Sequence, residues 1–285
     1  MLKTRVISAV LGLALLFAAV MISVETLAIA VFILSVAAIY EFNNAVSNAG
    51  CKPIKWVGYI SCGLILAIGT INGSISIVYN PMGNLIKLFR TAEDILLFMF
   101  FILLLLFIQQ IFSYPKYNIA DISVTICGIL YVVFMFLFIV LTRGLKDGAF
   151  FTWIIFIGAW ATDTFAYFGG VTLGKRKLIP AVSPNKTVEG SISGVIGAVA
   201  ALCLYGFLVG RNISYVPYFH YIIMGILCGI ISQVGDLTAS TIKRYTKIKD
   251  YGNIIPGHGG VLDRFDSVLL VAPTIYFYIY YIVLR

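Results

Sequence analysis

The chain has 285 residues, of which 61% are hydrophobic and 11% are charged, and its formal net charge is +8. Because a soluble domain carries about 25% charged residues, so few charges could not cover a globular surface in water, and this excludes a water-soluble fold. In a membrane protein a basic balance reflects topology and anionic lipid headgroups, so it does not by itself indicate nucleic acid.

Long apolar runs follow one another along the chain, and a helix needs about 20 apolar residues to cross the hydrocarbon core of a membrane. Because every backbone N–H and C=O must be paired inside lipid, we predict an all-α, polytopic integral membrane protein with about nine transmembrane helices. The apolar stretches cover residues 6–24, 26–42, 56–72, 94–112, 120–142, 150–170, 190–210, 218–238 and 264–284. The pattern leaves open whether the first two runs form one tight hairpin. The polar segment 73–93, with Asn80, Pro81, Lys87 and Arg90, is predicted to be a loop or an interfacial helix.

Polar residues are distributed unevenly between the two halves of the chain. We predict that residues 1–149 form a scaffold of about five spans and that residues 150–285 form a catalytic region of about four spans. The acidic residues of the second half lie among many Gly, Pro and Lys residues, and they are Asp163, Glu189, Asp236, Asp250, Asp263 and Asp266. The five cysteines are scattered and there are only two histidines, which argues against a zinc site or a disulfide framework.

Basic residues indicate the orientation of the predicted spans, since loops rich in Lys and Arg stay in the cytoplasm. With nine spans, 12 of the 20 basic residues fall on the side that carries loops 171–189 and 239–263. We therefore predict that both loops face the cytoplasm. The N-terminus, with Lys3 and Arg5, would then lie outside against the usual bias, so its sidedness stays open.

A carboxylate interrupts the apolar span at 150–170. Asp163 would cost several kcal/mol in lipid unless it is paired, hydrated or bound to a metal, and Gly169, Gly170 and Gly174 follow it closely. Glycines permit close backbone approach, which favours a metal or substrate site. The alternative is a hydrogen bond between helices, or a carboxylate near the interface.

The loop at 175–190 combines a cation, hydroxyls and a turn. We predict a turn at Ser183 and Pro184, which brings Lys186 and Thr187 close to the membrane, where they suit an anionic phosphate. The basic run that opens the loop has an equally good explanation as a positive-inside loop; it consists of Lys175, Arg176 and Lys177. The spacing of a nucleotide-binding P-loop is absent.

Segment 235–266 carries the strongest chemical pattern. On a helix, Asp236, Ser240 and Lys243 would share a face at i, i+4 and i+7, and Asp263 and Asp266 would share another at i and i+3. The intervening Pro-Gly-His-Gly-Gly cannot stay helical. Carboxylates that converge across such a bend suit an oxygen-ligated divalent cation, and interleaved basic residues suit a polyphosphate: Lys243, Arg244, Lys247, Lys249 and Arg264.

This segment resembles the signature of the phosphatidate cytidylyltransferases (CDP-diacylglycerol synthases). The matching residues are Ser240, Lys243, Arg244, Lys249, Asp250, Gly252, Pro256, Gly257, His258, Gly259, Gly260, Asp263, Arg264 and Asp266. Further elements are similar to the family around Asp163 and from Ser183 to Gly190, and Tyr40-Glu41-Phe42 is similar more weakly. The resemblance covers residues 150–285 well, and covers the first half in hydropathy only.

The resemblance implies transfer of a cytidylyl group from CTP to phosphatidate, giving CDP-diacylglycerol and pyrophosphate. It implies Mg²⁺, or Mn²⁺ in its place, on Asp236 and Asp263, with Asp163 and Asp266 as auxiliary ligands or orienting groups. Phosphate contacts are expected from Lys186, Lys243, Arg244, Arg264 and Lys249, with hydroxyls from Ser183, Thr187 and Ser240. His258 either protonates the leaving group or only shapes the bend.

The expected partners are CTP, phosphatidate within the bilayer and membrane lipids, with no nucleic acid, and a homodimer is left open. The expected location is the plasma membrane, as a multi-pass protein whose active site faces the cytoplasm. Two other functions fit the pattern. One is a CTP-dependent enzyme that acts on another lipid, and the other is an ion-coupled transporter whose path uses Asp163 and Asp236.

Overall fold

The computed structural model describes residues 2–77, 92–210, 213 and 215–285. Most of the polar segment predicted at 73–93 lies outside these residues. The described chain is mostly helical, which confirms the all-α prediction, and the two strands of its described part form one short β-hairpin. The chain divides into two compact units, Met1–Gly144 with Thr246–Val261, and Leu145–Tyr245 with Leu262–Arg285. We call them the first and the second unit.

The described residues of the first unit form six α-helices. They are α1 (Leu2–Ile22), α2 (Val24–Asn48), α3 (Lys55–Ile77), α4 (Ala92–Phe112), α5 (Ile119–Gly128) and α6 (Met135–Arg143). A π-helical segment, Ile129–Phe134, joins α5 to α6 into one continuous span. The first two apolar runs are separate helices, because Ser23 ends α1 and caps α2 in a reciprocal pair of hydrogen bonds with Thr26.

The second unit contains the remaining helices and the hairpin. They are α7 (Gly148–Leu173), β1 (Lys177–Ile179), β2 (Ser183–Thr187), α8 (Val188–Leu208), α9 (Phe219–Tyr245) and α10 (Leu262–Tyr278). A π-helical segment, Ile279–Val283, follows α10. The helix α9 extends seven residues beyond the predicted span 218–238, and the cations Lys243 and Arg244 in its last turn are favourable to the negative end of the helix dipole.

Seven helices of the described chain are long and apolar enough to cross a membrane. Two shorter apolar stretches, Lys55–Thr70 and Leu96–Phe112, stand beside these seven within the described residues. The protein is therefore a multi-pass membrane protein, and the predicted number of about nine spans is an approximate one.

Small residues bring the helices of the second unit into close contact. A Cβ atom added at Gly190 of α8 would lie 2.7 Å from the Ala166 carbonyl oxygen of α7. One added at Gly235 of α9 would lie 2.5 Å from the Asp266 carbonyl oxygen of α10. Such approaches are typical of helix packing in membranes, where lipid supplies no hydrophobic force between helices. They place the polar residues of α7, α9 and α10 beside one another.

Candidate active site

Asp163 of α7 is held by two serines from neighbouring helices. The Ser267 hydroxyl of α10 donates to its Oδ2 atom at 2.9 Å, and the Ser232 hydroxyl of α9 lies 3.4 Å from its Oδ1 atom. The hydrogen bond between helices and the functional site were alternatives for this residue. The structure shows the hydrogen bonds and also exposes the carboxylate to a cavity, so the two interpretations are compatible.

Asp236 forms an ion pair with the cation of the hairpin. Its Oδ2 atom lies 2.5 Å from Lys186 Nζ, and both side chains are partly exposed, at 30% and 24%. The Ser240 hydroxyl, one helical turn further along α9, lies 3.4 Å from Asp236 Oδ1. This confirms that Asp236 and Ser240 share a helix face, as their spacing predicts.

A second ion pair lies at the start of α10. Lys243 of α9 donates to Asp263 Oδ1 at 2.9 Å, and the Asp263 side chain is only 5% exposed. Asp266, one turn later, accepts a hydrogen bond from the backbone N–H of Ser267 at 2.7 Å. Each of the two predicted metal ligands is therefore paired with a predicted phosphate-binding lysine.

Three carboxylates of the second unit, those of Asp163, Asp236 and Asp266, lie near one another. Ser267 connects two of them, because its hydroxyl binds Asp163 and its backbone N–H binds Asp266, and Asp163 and Asp236 line the same cavity. Among the described residues no group of three or more His, Cys, Asp or Glu side chains is arranged to hold a metal ion. Mg²⁺ takes only one or two carboxylates along with waters and substrate phosphates, so this oxygen-rich cluster suits it chemically.

A cavity of about 480 Å³ opens between α7, α8, α9 and the hairpin. Its polar end is formed by Asp163, Lys186 and Asp236, and an apolar wall lies alongside it. The lining residues are Asp163, Ala166, Tyr167, Gly170, Val171, Leu178, Asn185, Lys186, Thr187, Gly190, Ser191, Gln233 and Asp236. A cavity with both charged and apolar surfaces can bind an amphipathic molecule that has an anionic group.

Comparison with known proteins assigns this chain to a family. A model of the cytidylyltransferase family matches residues 3–282. The chain belongs to the cytidylyltransferase family. A phosphatidate cytidylyltransferase of Staphylococcus aureus (strain COL) is 31% identical over 275 residues, which are 96% of this chain and 97% of the relative.

Two further relatives match this chain over a shorter region. Phosphatidate cytidylyltransferases of Bacillus subtilis and Staphylococcus haemolyticus are 36% and 37% identical to it over 178 and 165 residues. These regions cover 62% and 58% of this chain, and 65% and 62% of the relatives. The predicted resemblance to the family is therefore confirmed.

The hairpin that presents Lys186 differs from the predicted loop in this cytidylyltransferase-family chain. The prediction of a turn at Ser183 and Pro184 is wrong, because both residues lie in β2 and the turn is at 180–182. Val182 donates its N–H to the Ile179 carbonyl oxygen at 3.1 Å and closes that turn. Pro180 can start the turn, since its ring fixes the required backbone angle.

Contacts at the base of the hairpin explain several of its polar residues. The Thr187 hydroxyl accepts the Gly190 N–H at 3.1 Å and so caps α8. Glu189 accepts the backbone N–H groups of Lys175 and Arg176, and its side chain pairs with the Arg176 guanidinium at 3.2 Å. Thr187 also lines the cavity, so capping does not remove it from the candidate site.

The remaining predicted site residues lie outside the cavity lining, at the end of α9, at the start of α10 and in the 246–261 loop. Arg244 donates through Nε to the Val182 carbonyl oxygen at 3.2 Å, which joins α9 to the hairpin, and Arg264 is exposed at the start of α10. Lys249 and His258 belong to the first unit, where Lys249 is exposed.

Sequence reasoning missed the serines that hold Asp163 and the glutamine that lines the cavity. Gln233 donates to the Ser191 carbonyl oxygen at 3.1 Å and to the Gly229 carbonyl oxygen at 2.7 Å. Ser232 stands four residues before Asp236, and Ser267 directly follows Asp266. Both serines bind Asp163 on another helix, so their positions beside Asp236 and Asp266 in the sequence do not reveal this contact.

Proposed function

We propose that the protein transfers the cytidylyl group of CTP to phosphatidate, producing CDP-diacylglycerol and pyrophosphate. The observation that carries this proposal is the cavity in which Lys186, Asp236 and Asp163 adjoin an apolar wall. A lipid phosphate requires a cationic end and an apolar wall in one space. Family membership and the relatives called phosphatidate cytidylyltransferases support the same reaction.

The reaction joins two anions, so the protein must mainly position them and offset their charge. A phosphatidate oxygen attacks the α-phosphorus of CTP, the new P–O bond forms, and the bond from the α-phosphorus to the oxygen bridging to the β-phosphate breaks. Pyrophosphate leaves with that bond's electron pair. The attacking phosphate is already anionic, so no strong general base is needed.

The lysines of the two ion pairs suit this task. Lys186 and Lys243 each form an ion pair with a carboxylate, so a phosphate that binds beside Asp236 or Asp263 lies close to a lysine cation. Arg244 and Arg264, at the ends of α9 and α10, extend the basic region. Lys249 of the 246–261 loop is proposed to bind phosphate, and His258 of the same loop either protonates the leaving group or only shapes the bend.

The proposed cation is Mg²⁺, which Mn²⁺ could replace. Asp236 and Asp263 are its proposed protein ligands, with Asp163 and Asp266 as auxiliary or orienting groups, and their all-oxygen chemistry suits either ion. When bound, the ion would screen both phosphates and stabilise the leaving pyrophosphate. The proposed location is the plasma membrane, with the site open to cytoplasmic CTP.

A CTP-dependent assay on the purified protein tests the proposal. CDP-lipid and pyrophosphate should appear when CTP and phosphatidate are both present with Mg²⁺, and both products should vanish after metal stripping with EDTA and return with Mg²⁺ or Mn²⁺. A panel of polyprenol and archaeal lipid substrates serves as the comparison. If product forms from another lipid and not from phosphatidate, that lipid is the substrate. Ion flux without nucleotide binding would favour a transporter.

A further inference from the structure

Glu41 of α2 is a buried carboxylate in the first unit. Only 1% of the residue is exposed, and one of its oxygens, Oε1, accepts the backbone N–H of Val261 at 3.0 Å. These two residues are 220 positions apart in the chain. A buried carboxylate is costly unless hydrogen-bond donors replace the water it has lost, so the Val261 N–H stabilises the carboxylate of Glu41.

Two glycines of the 246–261 loop make room for this carboxylate. A Cβ atom added at Gly252 would lie 2.5 Å from Glu41 Oε1, and one added at Gly260 would lie 2.7 Å from both carboxylate oxygens. At each glycine the three nearest atoms all belong to Glu41. Neither glycine has a positive φ, so the space that Glu41 occupies explains why a side chain is excluded there.

Glu41 therefore lies at the neck of the loop, where the chain enters and leaves a tight turn. Beyond the neck, the Ile255 N–H donates to the Gly259 carbonyl oxygen at 2.9 Å, and the His258 N–H donates to the Ile255 carbonyl oxygen at 2.9 Å. A contact from α1 reaches the tip, where Ser8 Oγ lies 3.0 Å from His258 Nδ1. The turn is fixed at its neck by α2 and at its tip by α1.

We propose that Glu41 is a positioning residue for cytidylyl transfer, which sets the conformation of the 246–261 loop by binding its neck. This inference rests on the proposed function, because it assumes that Lys249 and His258 of the loop serve that reaction. In this proposal the carboxylate acts through the loop that it binds and not on the substrate. It also gives the N-terminal half of the chain a part in the reaction, where hydropathy alone indicated a scaffold.

The test compares Glu41→Gln and Glu41→Ala with a matched control, Asp121→Asn. Asp121 is likewise a buried carboxylate of the first unit that accepts backbone N–H groups, from Lys52 at 2.6 Å and Asn118 at 3.0 Å, but it does not contact the loop in any of these bonds. Glu41→Ala should lower kcat by about tenfold or more, as expected for loss of a buried charged hydrogen bond. Glu41→Gln, which keeps one acceptor oxygen, should fall between Glu41→Ala and the wild type, and Asp121→Asn should keep kcat within about twofold.

Two readouts separate positioning from general destabilisation. Backbone amide exchange of residues 252–261 should accelerate in both Glu41 variants and stay unchanged in Asp121→Asn. Gly260→Ala should lower kcat in the wild-type background. In the Glu41→Ala background the same substitution should lower kcat by less than about twofold, because the carboxylate atoms that the new methyl group would contact are absent. A folded Glu41→Ala protein with wild-type kcat, or equal effects of Gly260→Ala in both backgrounds, would overturn the proposal.

Failure of the underlying function would look different. If the wild-type protein forms no CDP-lipid from CTP and phosphatidate, the proposed reaction fails, and with it the catalytic part of this inference. Amide exchange would still decide whether Glu41 holds the loop. If the wild type is active and the loop exchanges faster in Glu41→Ala without loss of kcat, only the positioning role is wrong.

Discussion

Asp236 and Asp263 are the proposed metal ligands, and each forms an ion pair with a lysine. Asp236→Asn and Asp263→Asn should each lower the rate at least about 10²-fold, the scale for loss of one electrostatic stabiliser in an active site. Expression should be normal, because a neutral amide is cheaper than a charge inside a membrane. Initial rates of CDP-diacylglycerol formation at equal amounts of folded protein provide the measurement.

Asp147→Asn is the matched control for these two variants. Asp147 precedes α7 with φ +53°, a conformation that Asn tolerates, and it accepts the Tyr215 hydroxyl at 2.6 Å at the far end of the helix from the hairpin. The rate of CDP-diacylglycerol formation by Asp147→Asn should stay at the wild-type level. Near-normal activity of Asp236→Asn or Asp263→Asn would move the metal to Asp163 and Asp266, and misfolding in place of inactivity would indicate a structural role.

Ser267 joins two acids, because its hydroxyl binds Asp163 and its backbone N–H binds Asp266. Ser267→Ala removes only the bond to Asp163, and a hydrogen bond to a charged group contributes about 1.5–3 kcal/mol. We expect kcat to fall by roughly tenfold or more if Asp163 must be held in place. Thr274→Val, on the same helix, removes a hydroxyl that donates to the Leu270 carbonyl oxygen and should leave kcat unchanged. Equal rates in both variants would show that the serine is dispensable.

The acids of the site could be predicted from the sequence, and the groups that hold them could not. A carboxylate in an apolar span is costly, so Asp163 and Asp266 stand out from their neighbours. A serine costs little in the same place and can bond to its own helix backbone, so Ser267 carries no comparable signal. Glu41 was visible only as part of a weak resemblance, because no local pattern connects it to Val261.

At the scale of elements, the packing of α7 against α8 determines where the hairpin presents Lys186. Gly190→Ala would place a methyl group against the backbone oxygen of Ala166, which cannot move without shifting a helix. We expect destabilisation by about 1–3 kcal/mol, the usual cost of overpacking, although alanine is the better helix former. Thermal unfolding in detergent should show a lower Tm.

Gly63→Ala is the control for this packing prediction. Gly63 lies within α3, and no atom comes within 4 Å of an added Cβ atom there. Its Tm should be unchanged or slightly raised, since alanine restricts the unfolded chain. If Gly190→Ala were as stable as Gly63→Ala, the close approach of α7 and α8 would not be needed for stability.

Helix positions were predictable to within a few residues, and the exceptions have physical reasons. Hydropathy ends a predicted span where polar residues begin, but α9 continues through Ser240 to Tyr245, and the Thr241 hydroxyl there donates to the Leu237 carbonyl oxygen of the same helix. Ser183 and Pro184 suggested a turn by residue type. Their place in a strand depends on pairing with β1, which local propensity does not reveal.

At the scale of the whole molecule, the first compact unit is made of two separate parts of the sequence. Residues 246–261 group with the N-terminal helices although they stand between α9 and α10 in sequence. Contacts with Ser8 and Glu41 account for this grouping. Which half carries catalysis stays a prediction, and the Glu41 variants bear on it directly.

Sidedness is the last whole-molecule property that the basic loops predict. The helix α7 has 26 residues, and at about 1.5 Å per residue it is long enough to cross a hydrocarbon core of about 30 Å. The loop at 144–147 and the hairpin, at opposite ends of α7, should therefore face opposite sides of the membrane. Because CTP is soluble and carries several negative charges, it must arrive from water on the hairpin side, while phosphatidate should enter sideways from the leaflet.

Cysteines placed at Asn185, Asn253 and Lys146 test this arrangement, after the five native cysteines are replaced. All three positions are exposed, so an impermeant thiol reagent can reach each from its own side. Asn185→Cys and Asn253→Cys should react only from the cytoplasmic side, and Lys146→Cys only from the outside. CTP should slow labelling at Asn185, which lines the cavity beside Lys186, and leave Lys146→Cys unaffected. Labelling of Asn185→Cys from the outside would reverse the orientation, and labelling indifferent to CTP would separate the hairpin from the nucleotide site.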